Sequence, residues 1–301
     1  MRTLAWRVWE HTPEAVRGLV RPAFAAARRR GRVHTPLPPG EPPPLPPEAV
    51  ELDTAIGTLW FDGADDHLTP WIRSQGVWEA DVMKLLARTL RPGSTFVDVG
   101  ANVGFHSILA AQLVGPEGTV VAVEASPWTL ELLRANVWRH GAGVRVVAAA
   151  ASDVAGAVRL ELDPHHRSGA RLTEGDAAGA VEVEAAPLDE LVPDGAVDVL
   201  KVDVEGAEPL VFRGAHGVLE RSPRLVAVVE FRDEPHLSGE TPADVLAFYE
   251  SLGFELCLLR RNGDLAPASR DAVLDRARRE PSFNLVLRRR GPSARVEPRN
   301  A

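Results

Sequence analysis

The sequence predicts an α/β protein built on a doubly wound, mostly parallel sheet. Short apolar runs recur through the middle of the chain, the first two at residues 96–99 and 119–123. Runs of this length are typical of strands that are buried on both faces of a parallel sheet. Between them, apolar residues repeat at helical spacing over 105–113, after a turn that contains two glycines. Strand, turn, helix and strand in that order indicate a βαβ unit.

The other elements follow from the same periodicities. Residues 50–62 are expected to form two short strands about Gly57, and residues 77–90 a helix. Thr241 is placed to cap a helix over 241–252. A further helix is expected over 127–139, and strands over 144–147, 158–162, 181–184, 197–202, 225–229, 254–259 and 283–287.

Length and composition bound the architecture. With 301 residues, 45% hydrophobic and 25% charged, the chain can bury one sizeable core and carry a modest appendage. Cys257 is the single cysteine, which excludes an internal disulfide and a zinc site made of cysteines, and this is compatible with a reducing cytoplasm. The net charge of -8 argues against a general nucleic-acid binder, whose surface is basic. No apolar run approaches the roughly twenty residues of a membrane span.

Four segments of different composition are expected along the chain. Residues 1–35 form a basic, amphipathic N-terminal segment with eight arginines and two glutamates. This segment is either a helix that docks on a membrane surface or a partner, or a solvated cover or tail. Residues 36–48 form a proline-rich linker, because proline continues neither a helix nor a central strand. The globular domain spans 49–290, and 291–301 form a flexible tail.

The segment 98–104, Asp-Val-Gly-Ala-Asn-Val-Gly, is the first candidate binding site. Gly100 and Gly104 allow the backbone to approach a ligand closely, and the free amides at the start of the following helix can donate to a polar group. The turn lacks the third glycine of the dinucleotide fingerprint and the lysine of a phosphate-binding loop. A pyrophosphate is therefore not the expected guest.

Glu124 follows the second apolar run, twenty residues after Gly104. In a doubly wound sheet the acid that ends the second strand lies beside the first turn, where it can accept hydrogen bonds from both hydroxyls of a ribose. The turn and Glu124 together predict a pocket for a nucleoside that is not strongly anionic.

Several ordered motifs resemble those of the FkbM-type methyltransferases. They are the turn over 98–104, Glu124 with Pro127 and Asn136, the tripeptide Ala151-Ser152-Asp153, and the segment Leu-Lys-Val-Asp-Val-Glu-Gly-Ala-Glu over 200–208. The resemblance implies a three-layer doubly wound, Rossmann-like methyltransferase sheet, mostly parallel with an antiparallel closing strand. It also implies an enzyme that depends on S-adenosylmethionine and that, in most of the family, methylates oxygen.

The resemblance assigns cofactor-binding roles to residues around the turn. Gly100, Asn102 and Gly104 would hold the amino-acid part of the cofactor. Asp98 would accept from the amides of the turn or from the ligand's ammonium group, and Glu124 would hold the ribose.

Three further residues are expected at the cofactor by the same resemblance. Glu79, in a Gly-Val-Trp-Glu segment ahead of the first core strand, would line the pocket, although by itself it reads as a first-turn carboxylate beside a helix dipole. Ser152 and Asp153 would meet the adenine, although such an aspartate is also a common turn former. The polar segment 164–179, with its pair of histidines, lies where the family varies and is expected to face the substrate.

Three carboxylates, Asp203, Glu205 and Glu208, follow the strand over 197–202. They lie at the carboxyl edge of the sheet, where doubly wound folds bind ligands. Crowded acids raise one another's pKa and can act as a general base, or they can hold a divalent cation. Glu208 is instead expected to stabilise the start of the next helix.

Asp203 or Glu205 is the first candidate for the base that removes the proton of an acceptor hydroxyl. His106, just after the glycine turn, is the second, because its ordinary pKa suits the task, although a histidine here also reads as a pocket-lining group. Glu230, which ends the strand over 225–229 at the same edge, is the third.

The first functional hypothesis is an S-adenosylmethionine-dependent methyltransferase, cytoplasmic, with no nucleic-acid partner. Its acceptor is a small molecule, a hydroxyl-bearing sugar or secondary metabolite. One alternative is a nicotinamide oxidoreductase, for which the middle glycine and a Tyr-x-x-x-Lys pair are missing. The other is a non-catalytic module that binds a nucleoside, because a fold does not fix function.

Overall fold

The computed structural model describes residues 41–173, 179–234, 237 and 239–289. The expected N-terminal segment 1–35 and the expected tail 291–301 lie outside the described residues, as does the first part of the linker 36–48. The expectations for these segments remain predictions.

The helices of the described residues are α1 (Leu68–Gln75), α2 (Ala80–Thr89), α3 (Phe105–Val114), α4 (Pro127–Arg139), α5 (Leu188–Leu191), α6 (Glu208–Arg213), α7 (His216–Arg221), α8 (Pro242–Ser251) and α9 (Arg270–Ala277). The strands are β1 (Ala49–Thr54), β2 (Gly57–Asp62), β3 (Thr95–Val99), β4 (Thr119–Glu124), β5 (Val144–Ala148), β6 (Ala150–Ser152), β7 (Gly156–Glu161), β8 (Arg171–Thr173), β9 (Val181–Pro187), β10 (Val199–Val202), β11 (Val226–Arg232), β12 (Phe254–Leu259), β13 (Leu265–Pro267) and β14 (Ser282–Arg289). Within these ranges no helix has the length and apolar character needed to cross a bilayer.

The central sheet has the strand order β13-β12-β14-β11-β10-β3-β4-β5. The strands from β11 to β5 are parallel, and β14 runs antiparallel between β11 and β12. This confirms the predicted doubly wound sheet with its antiparallel closing strand. The chain runs from β3 outward to β4 and β5 and later returns to the other side of β3 to form β10. The strand order therefore reverses between β3 and β10, and a ligand crevice is expected at their carboxyl ends.

Two hydrophobic cores cover the two faces of this sheet. Along β10, Leu200 and Val202 point into one core and Val199 into the other, as the period of a strand requires. Lys201 lies between them and is buried, with 3% of its side chain exposed. The strand register sets Lys201 beside Asp98 of β3. The floor of the crevice thus carries a buried pair of opposite charges.

Asn136 of α4 ties the hairpin of β1 and β2 to the rest of the domain. Its fully buried side chain accepts from the backbone N–H of Trp60 at 2.7 Å and donates to the carbonyl oxygens of Trp60 and Val103, both at 2.9 Å. Val103 belongs to the glycine turn. One amide group therefore joins the hairpin, α4 and the turn.

A second sheet of four strands, in the order β6-β9-β7-β8, is inserted between β5 and β10. The connection from β7 to β8 returns towards α1, where the backbone N–H of Asp66 donates to the carbonyl oxygen of His165 at 3.0 Å. The insertion therefore reaches back over the central sheet.

Most of the predicted elements are confirmed. α4 has the predicted bounds, and Thr241 caps α8 through a reciprocal pair of hydrogen bonds with Asp244. The helix predicted from residue 77 begins instead at Ala80, because Gly76 and Glu79 both take left-handed conformations that a helix cannot contain. Helices α1, α5, α7 and α9 and strands β6, β8 and β13 are additional to the predicted elements.

Candidate active site

The glycine turn crosses directly over the end of β10. Gly100 and Gly104 have φ values of 77° and 87°, in the left-handed region. A Cβ atom at Gly100 would lie 1.8 Å from the backbone oxygen of Asp203, so only glycine fits there. At Gly104 a Cβ atom would lie 2.6 Å from Cδ1 of Leu133 in α4. The first glycine therefore allows the turn to meet β10, and the second packs the turn against α4.

Glu124 is held in one orientation at the end of β4. Its buried carboxylate accepts from the backbone N–H of Ser126 through Oε1 at 2.7 Å, and from that of Asn102 through Oε2 at 2.6 Å. Burial raises the pKa of Glu124, and these two hydrogen bonds oppose the rise. Each carboxylate oxygen can accept a second hydrogen bond. The hydroxyl of Thr129 also acts on this carboxylate, and the acceptor capacity that remains is available to a ligand hydroxyl.

A cavity of about 310 Å³ opens at the carboxyl ends of β3, β4, β10 and β11. Its volume lies within the range of small-molecule sites. Most of the predicted site residues line it: Glu79, Asp98, Gly100, Asn102, His106, Glu124, Asp203, Glu205 and Glu230. The crevice expected at the reversal of strand order is therefore present and brings these residues together.

Ser152 and Asp153 lie outside the wall of this cavity. They end β6, which pairs with β9 in the second sheet. Ser152 is buried and donates to Oδ1 of Asp153 at 3.2 Å, whereas Asp153 is exposed. Residues 149–151 line the cavity instead. The geometry thus gives no support to the expected adenine contact of Asp153.

Backbone strain concentrates at the same cavity. Among the described residues, the non-glycine positions with positive φ are Glu79 (43°), Asn102 (52°) and Glu205 (56°), and all of them line it. Such conformations cost on the order of 1 kcal/mol or more and cluster at functional sites. At Asn102 the side-chain oxygen compensates locally, because it accepts from the backbone N–H of Val103 at 2.8 Å.

Lys201 is the buried centre of a charge cluster on the cavity floor, in which Glu79 and Asp203 are partly exposed. We call this the inner cluster, and it consists of Glu79, Asp98, His106, Lys201 and Asp203. The ammonium group of Lys201 donates to Oδ2 of Asp203 at 2.7 Å and lies 3.8 Å from Oε2 of Glu79. Nε2 of His106 lies 3.6 Å from the same oxygen of Glu79. Sequence analysis gave Lys201 no role, although a lysine inside an apolar strand is itself a signal.

Burial controls the charges of the inner cluster. It raises the pKa of Glu79 to about 7 and the pKa of Asp98 to about 6, although the attraction of Lys201 opposes both shifts. Burial and Lys201 lower the pKa of His106 well below its ordinary value, so the imidazole is neutral at pH 7. The carboxyl groups of Glu79, Asp98 and Asp203 therefore share the single ammonium group of Lys201. The cavity floor thus favours a positively charged ligand.

Glu205, Glu230 and Arg232 form the outer cluster, on the opposite side of Asp203. Nη2 of Arg232 donates to Oε2 of Glu205 and, at 2.6 Å, to Oε2 of Glu230. Burial together with repulsion from Asp203 raises the pKa of Glu205 to about 7 and the pKa of Glu230 to about 8. No role was expected for Arg232, although strand period sets it on the same face as Glu230, two residues earlier. Its contact with Glu205 has no local signal.

The carboxylates Asp203, Glu205 and Glu230 each offer one oxygen, and these oxygens all lie within 4.8 Å of one another. This spacing suits a divalent cation. Glu208 plays a different part, because its Oε1 accepts from the backbone N–H groups of Val204 and Gly206 at 3.0 and 3.2 Å. It therefore fixes the turn that precedes α6.

Several buried polar atoms at the cavity wall have no hydrogen-bond partner among the described residues. They are Oε2 of Glu79, Oδ1 of Asp98, Nε2 of His106 and Oγ of Ser126. Buried polar groups in proteins are nearly always paired. These unpaired atoms therefore indicate a binding site in which a polar ligand completes the hydrogen bonds.

Residues 163–168, which we call the strap, cover one side of the cavity. The backbone N–H and the hydroxyl of Ser168 donate to Oδ1 of the buried Asp65 at 3.1 and 2.9 Å. The side chain of Asn102 donates to the carbonyl oxygen of Ser168 at 2.8 Å. The strap is thus fastened both to the start of α1 and to the glycine turn.

The strap contributes side chains to the cavity wall. His166 and Ser168 line the cavity, and the ring of His166 lies 4.6 Å, between centroids, from that of His67. His165 is 86% exposed and takes no part in the wall. Residues 174–178 of the segment predicted to face the substrate lie outside the described residues.

Comparison with known proteins supplies the family. Residues 98–256 match the family described as the methyltransferase FkbM domain. The 31-O-demethyl-FK506 methyltransferase FkbM of Streptomyces tacrolimicus is 34% identical over 207 residues, covering 61% of this chain and 77% of that protein. Methyltransferase sdnD of Sordaria araneosa is 28% identical over 201 residues, covering 55% of this chain and 75% of that protein. Among solved structures, an O-methyltransferase from Bacillus cereus with SAH has 13% identity, a TM-score of 0.42 and 92% coverage of both chains.

The matched range contains the glycine turn, Glu124 and the acids that follow β10. The nicotinamide oxidoreductase and the non-catalytic module are therefore set aside. The chain belongs to the FkbM methyltransferase family and is an S-adenosylmethionine-dependent methyltransferase.

Proposed function

We propose that this enzyme methylates oxygen, on a hydroxyl group of a sugar or a secondary metabolite. One observation carries the proposal: a single cavity joins the glycine turn and Glu124 to a group of partly buried carboxylates. A hydroxyl acceptor must lose its proton as the new C–O bond forms, and a carboxylate can accept that proton. The name of the relative from Streptomyces tacrolimicus also describes methylation at an oxygen.

In this proposal, the cofactor lies across the carboxyl ends of β4 and β3. Glu124 holds its ribose, the turn from Gly100 to Asn102 holds its amino-acid part, and Asp98 accepts from its ammonium group through the unpaired Oδ1. The cofactor supplies a methyl group bonded to a positively charged sulfur. The anionic inner cluster fits that charge. Gly104 supports the turn from behind, and the adenine contacts of Ser152 and Asp153 stay a prediction.

Asp203 and Glu205 are the first candidates for the group that accepts the proton of the acceptor. Lys201 holds Asp203 in one orientation, and Glu205 has a pKa of about 7, which suits proton transfer near neutral pH. His106 is second, because its neutral imidazole offers the unpaired Nε2. Glu230 is third, because Arg232 donates to it through two nitrogen atoms.

A divalent cation at Asp203, Glu205 and Glu230 is the second way in which these acids can serve. Their spacing favours it. Arg232 already places a positive charge between two of the three, which favours the role of general base instead. Activity that survives dialysis against a chelator supports the base, and activity restored only by added Mg²⁺ supports the cation.

The proposed acceptor class is tested by incubating the enzyme with methyl-labelled S-adenosylmethionine and a panel of sugars, glycosides and polyketides. We expect an O-methylated product, located by NMR, and a loss of rate of about 10²-fold or more in Asp203→Asn or Glu205→Gln. Asp198→Asn is the matched control, because Asp198 precedes β10 at the opposite edge of the sheet. A product methylated only on nitrogen, sulfur or carbon would contradict the proposal.

The acceptor is a small molecule, and we place the enzyme in the cytoplasm. The single cysteine, Cys257, is a buried free thiol, which suits a reducing compartment. The net charge of -8 supports an acceptor other than nucleic acid.

A further inference from the structure

Glu79 differs from the other cavity acids in how it is held. Its positive φ fixes its direction at the start of α2, and its Oε1 accepts from the side-chain amide of Asn284 at 2.5 Å. Its Oε2 faces Lys201 and His106 at 3.8 and 3.6 Å without a hydrogen bond, and this atom is buried. One oxygen is thus anchored, and the other is left to respond to the charge of the cavity.

The charges that face Glu79 are unbalanced. Lys201 and Asp203 approach it from β10 and the loop that follows, Asp98 lies on β3, and Asp81 lies on its own helix. His106 on α3 is neutral at pH 7. Lys201 is the only cation in this group, so the ionisation of Glu79 depends strongly on whether another positive charge is present.

Methyl transfer changes that charge in a defined way. The C–O bond forms while the C–S bond breaks, and the electron pair of the broken bond stays on sulfur. The sulfur becomes neutral, and the acceptor hydroxyl loses one proton. The cavity therefore loses a positive charge at the moment when a proton must be taken up.

We propose that Glu79 matches both changes: its carboxylate is ionised while the sulfonium is bound, and Oε2 takes up a proton when the sulfur becomes neutral. This inference rests on the proposed cofactor site and not on the identity of the acceptor. It makes Glu79 the residue on which the proton of the reaction ends, after Asp203 or Glu205 has removed it from the acceptor.

The titration of Glu79 supports this role. With a pKa of about 7, the carboxyl group is about half protonated at pH 7 in the free enzyme. A positive charge nearby favours the ionised form. Both ligands carry the same ammonium group, so binding of the sulfonium cofactor at pH 7 should release up to about half a proton more from Glu79 than binding of the thioether product does.

Calorimetry measures this difference without an acceptor. S-adenosylmethionine and S-adenosylhomocysteine are each titrated into the full chain at pH 7, once in phosphate and once in Tris. These buffers differ in their enthalpy of ionisation, so the difference in observed heat gives the number of protons released. We expect the sulfonium compound to release about half a proton more than the thioether.

Two substitutions test whether Glu79 is the source of the additional proton that is released when the sulfonium compound binds. Glu79→Gln keeps an amide oxygen for Asn284 and should clearly reduce the difference in proton release between the two ligands. Glu117→Gln is the matched control, because Glu117 is an exposed carboxylate ahead of β4 that does not line the cavity, and it should leave the difference unchanged. Any proton released by the amine of the cofactor itself is common to all three proteins and cancels in the comparison.

The possible results distinguish a failure of the role of Glu79 from a failure of the proposed cofactor site. An equal difference between the two ligands in the wild type and in Glu79→Gln, or a smaller difference in Glu117→Gln, would overturn the role of Glu79 and leave the methyltransferase intact. Failure of the wild type to bind S-adenosylmethionine would contradict the proposed cofactor site instead.

If the thermal melting curve shows that Glu79→Gln does not fold, the pH dependence of ligand binding to the wild type tests the role of Glu79 instead. Its affinity for the sulfonium compound should rise by about tenfold between pH 6 and pH 8, because the ionised form of Glu79 becomes available. Its affinity for the thioether should not follow. A parallel rise for both ligands would overturn the inference.

Discussion

The cavity has two halves that are held in place by different forces. We call the glycine turn with Glu124 the cofactor half, and the inner and outer clusters together the acid half. In the cofactor half, the backbone of the glycine turn and the carboxylate of Glu124 fix one another through hydrogen bonds of 2.6 and 2.7 Å. In the acid half, Lys201 and Arg232 hold carboxylates from several elements by charge. The first half is therefore sensitive to the shape of the backbone, and the second is sensitive to pH and to charge. Four experiments sharpen this contrast.

The largest effect is expected from Gly100→Ala. The new Cβ atom would lie 1.8 Å from the backbone oxygen of Asp203, so the turn and β10 must separate. We expect a loss of more than about 3 kcal/mol in the free energy of unfolding and no measurable cofactor binding. Gly93→Ala is the control, because Gly93 also has positive φ but has nothing within 4 Å of its Cβ position. It should cost about 1 kcal/mol, and equal losses in the two variants would refute the importance of the close contact.

Glu124→Ala removes the side chain that orders the cofactor half. It deprives the N–H groups of Asn102 and Ser126 of their acceptor and the ribose of its proposed partner. We expect the binding free energy of S-adenosylmethionine, measured by calorimetry, to weaken by about 1.5 to 3 kcal/mol. Glu117→Ala, at an exposed carboxylate ahead of β4, should bind as the wild type does. Unchanged affinity in Glu124→Ala would show that the ribose lies elsewhere.

Glu230→Gln tests the charge of the acid half. The pKa of Glu230 is raised to about 8 in the folded protein, so its contribution to stability is present below pH 4.5 and is lost as the pH rises through 8. Relative to the wild type, the variant should therefore gain about 1 to 2 kcal/mol in the free energy of unfolding between pH 5 and pH 9. Urea denaturation at both pH values measures this gain. A constant difference would mean that Arg232 keeps Glu230 ionised throughout.

The smallest effect is expected from Ser168→Ala in the strap. The variant loses the hydroxyl hydrogen bond to Asp65 but keeps the backbone one. If the missing hydrogen bond weakens the binding free energy of the cofactor by about 1 kcal/mol, the cofactor should dissociate roughly fivefold faster. Stopped-flow fluorescence of Trp78, in the cavity wall, measures this rate. His165→Ala, at an exposed strap residue, is the control. Equal dissociation rates in Ser168→Ala and the wild type would show that the strap does not restrain the ligand.

The same contrast explains what the sequence could predict. The glycine turn and Glu124 each follow directly after a strand, and the order of strands in a doubly wound sheet is enough to bring them together. Strand period and turn residues therefore predict that the glycine turn and Glu124 lie together at the edge of the sheet. Helix α4 and the cap of α8 were predictable for a similar reason, because their signals are local.

The acid half depends on contacts that no local pattern contains. Glu79 and Lys201 meet only because α2 begins above the end of β10, and Arg232 meets Glu205 only through the register of β10 and β11. Asp153 follows β6, which pairs with β9 in a second sheet, and its side chain is exposed. Its adenine contact therefore stays a prediction that comes from its motif and not from the arrangement of the strands. Helix α9 escaped prediction because only Val273 and Ala277 are buried along it.

The close contact between Gly100 and Asp203 has a consequence for altering this enzyme. Because backbone meets backbone there, the spacing between the proposed cofactor site and the acids is set by a junction that no side chain can adjust. A misplacement of about 1 Å in an active site can cost about 10²-fold in rate. Selection for new acceptors should therefore find tolerated changes in the strap, whose side chains line the cavity without joining these two strands, and should leave the junction untouched.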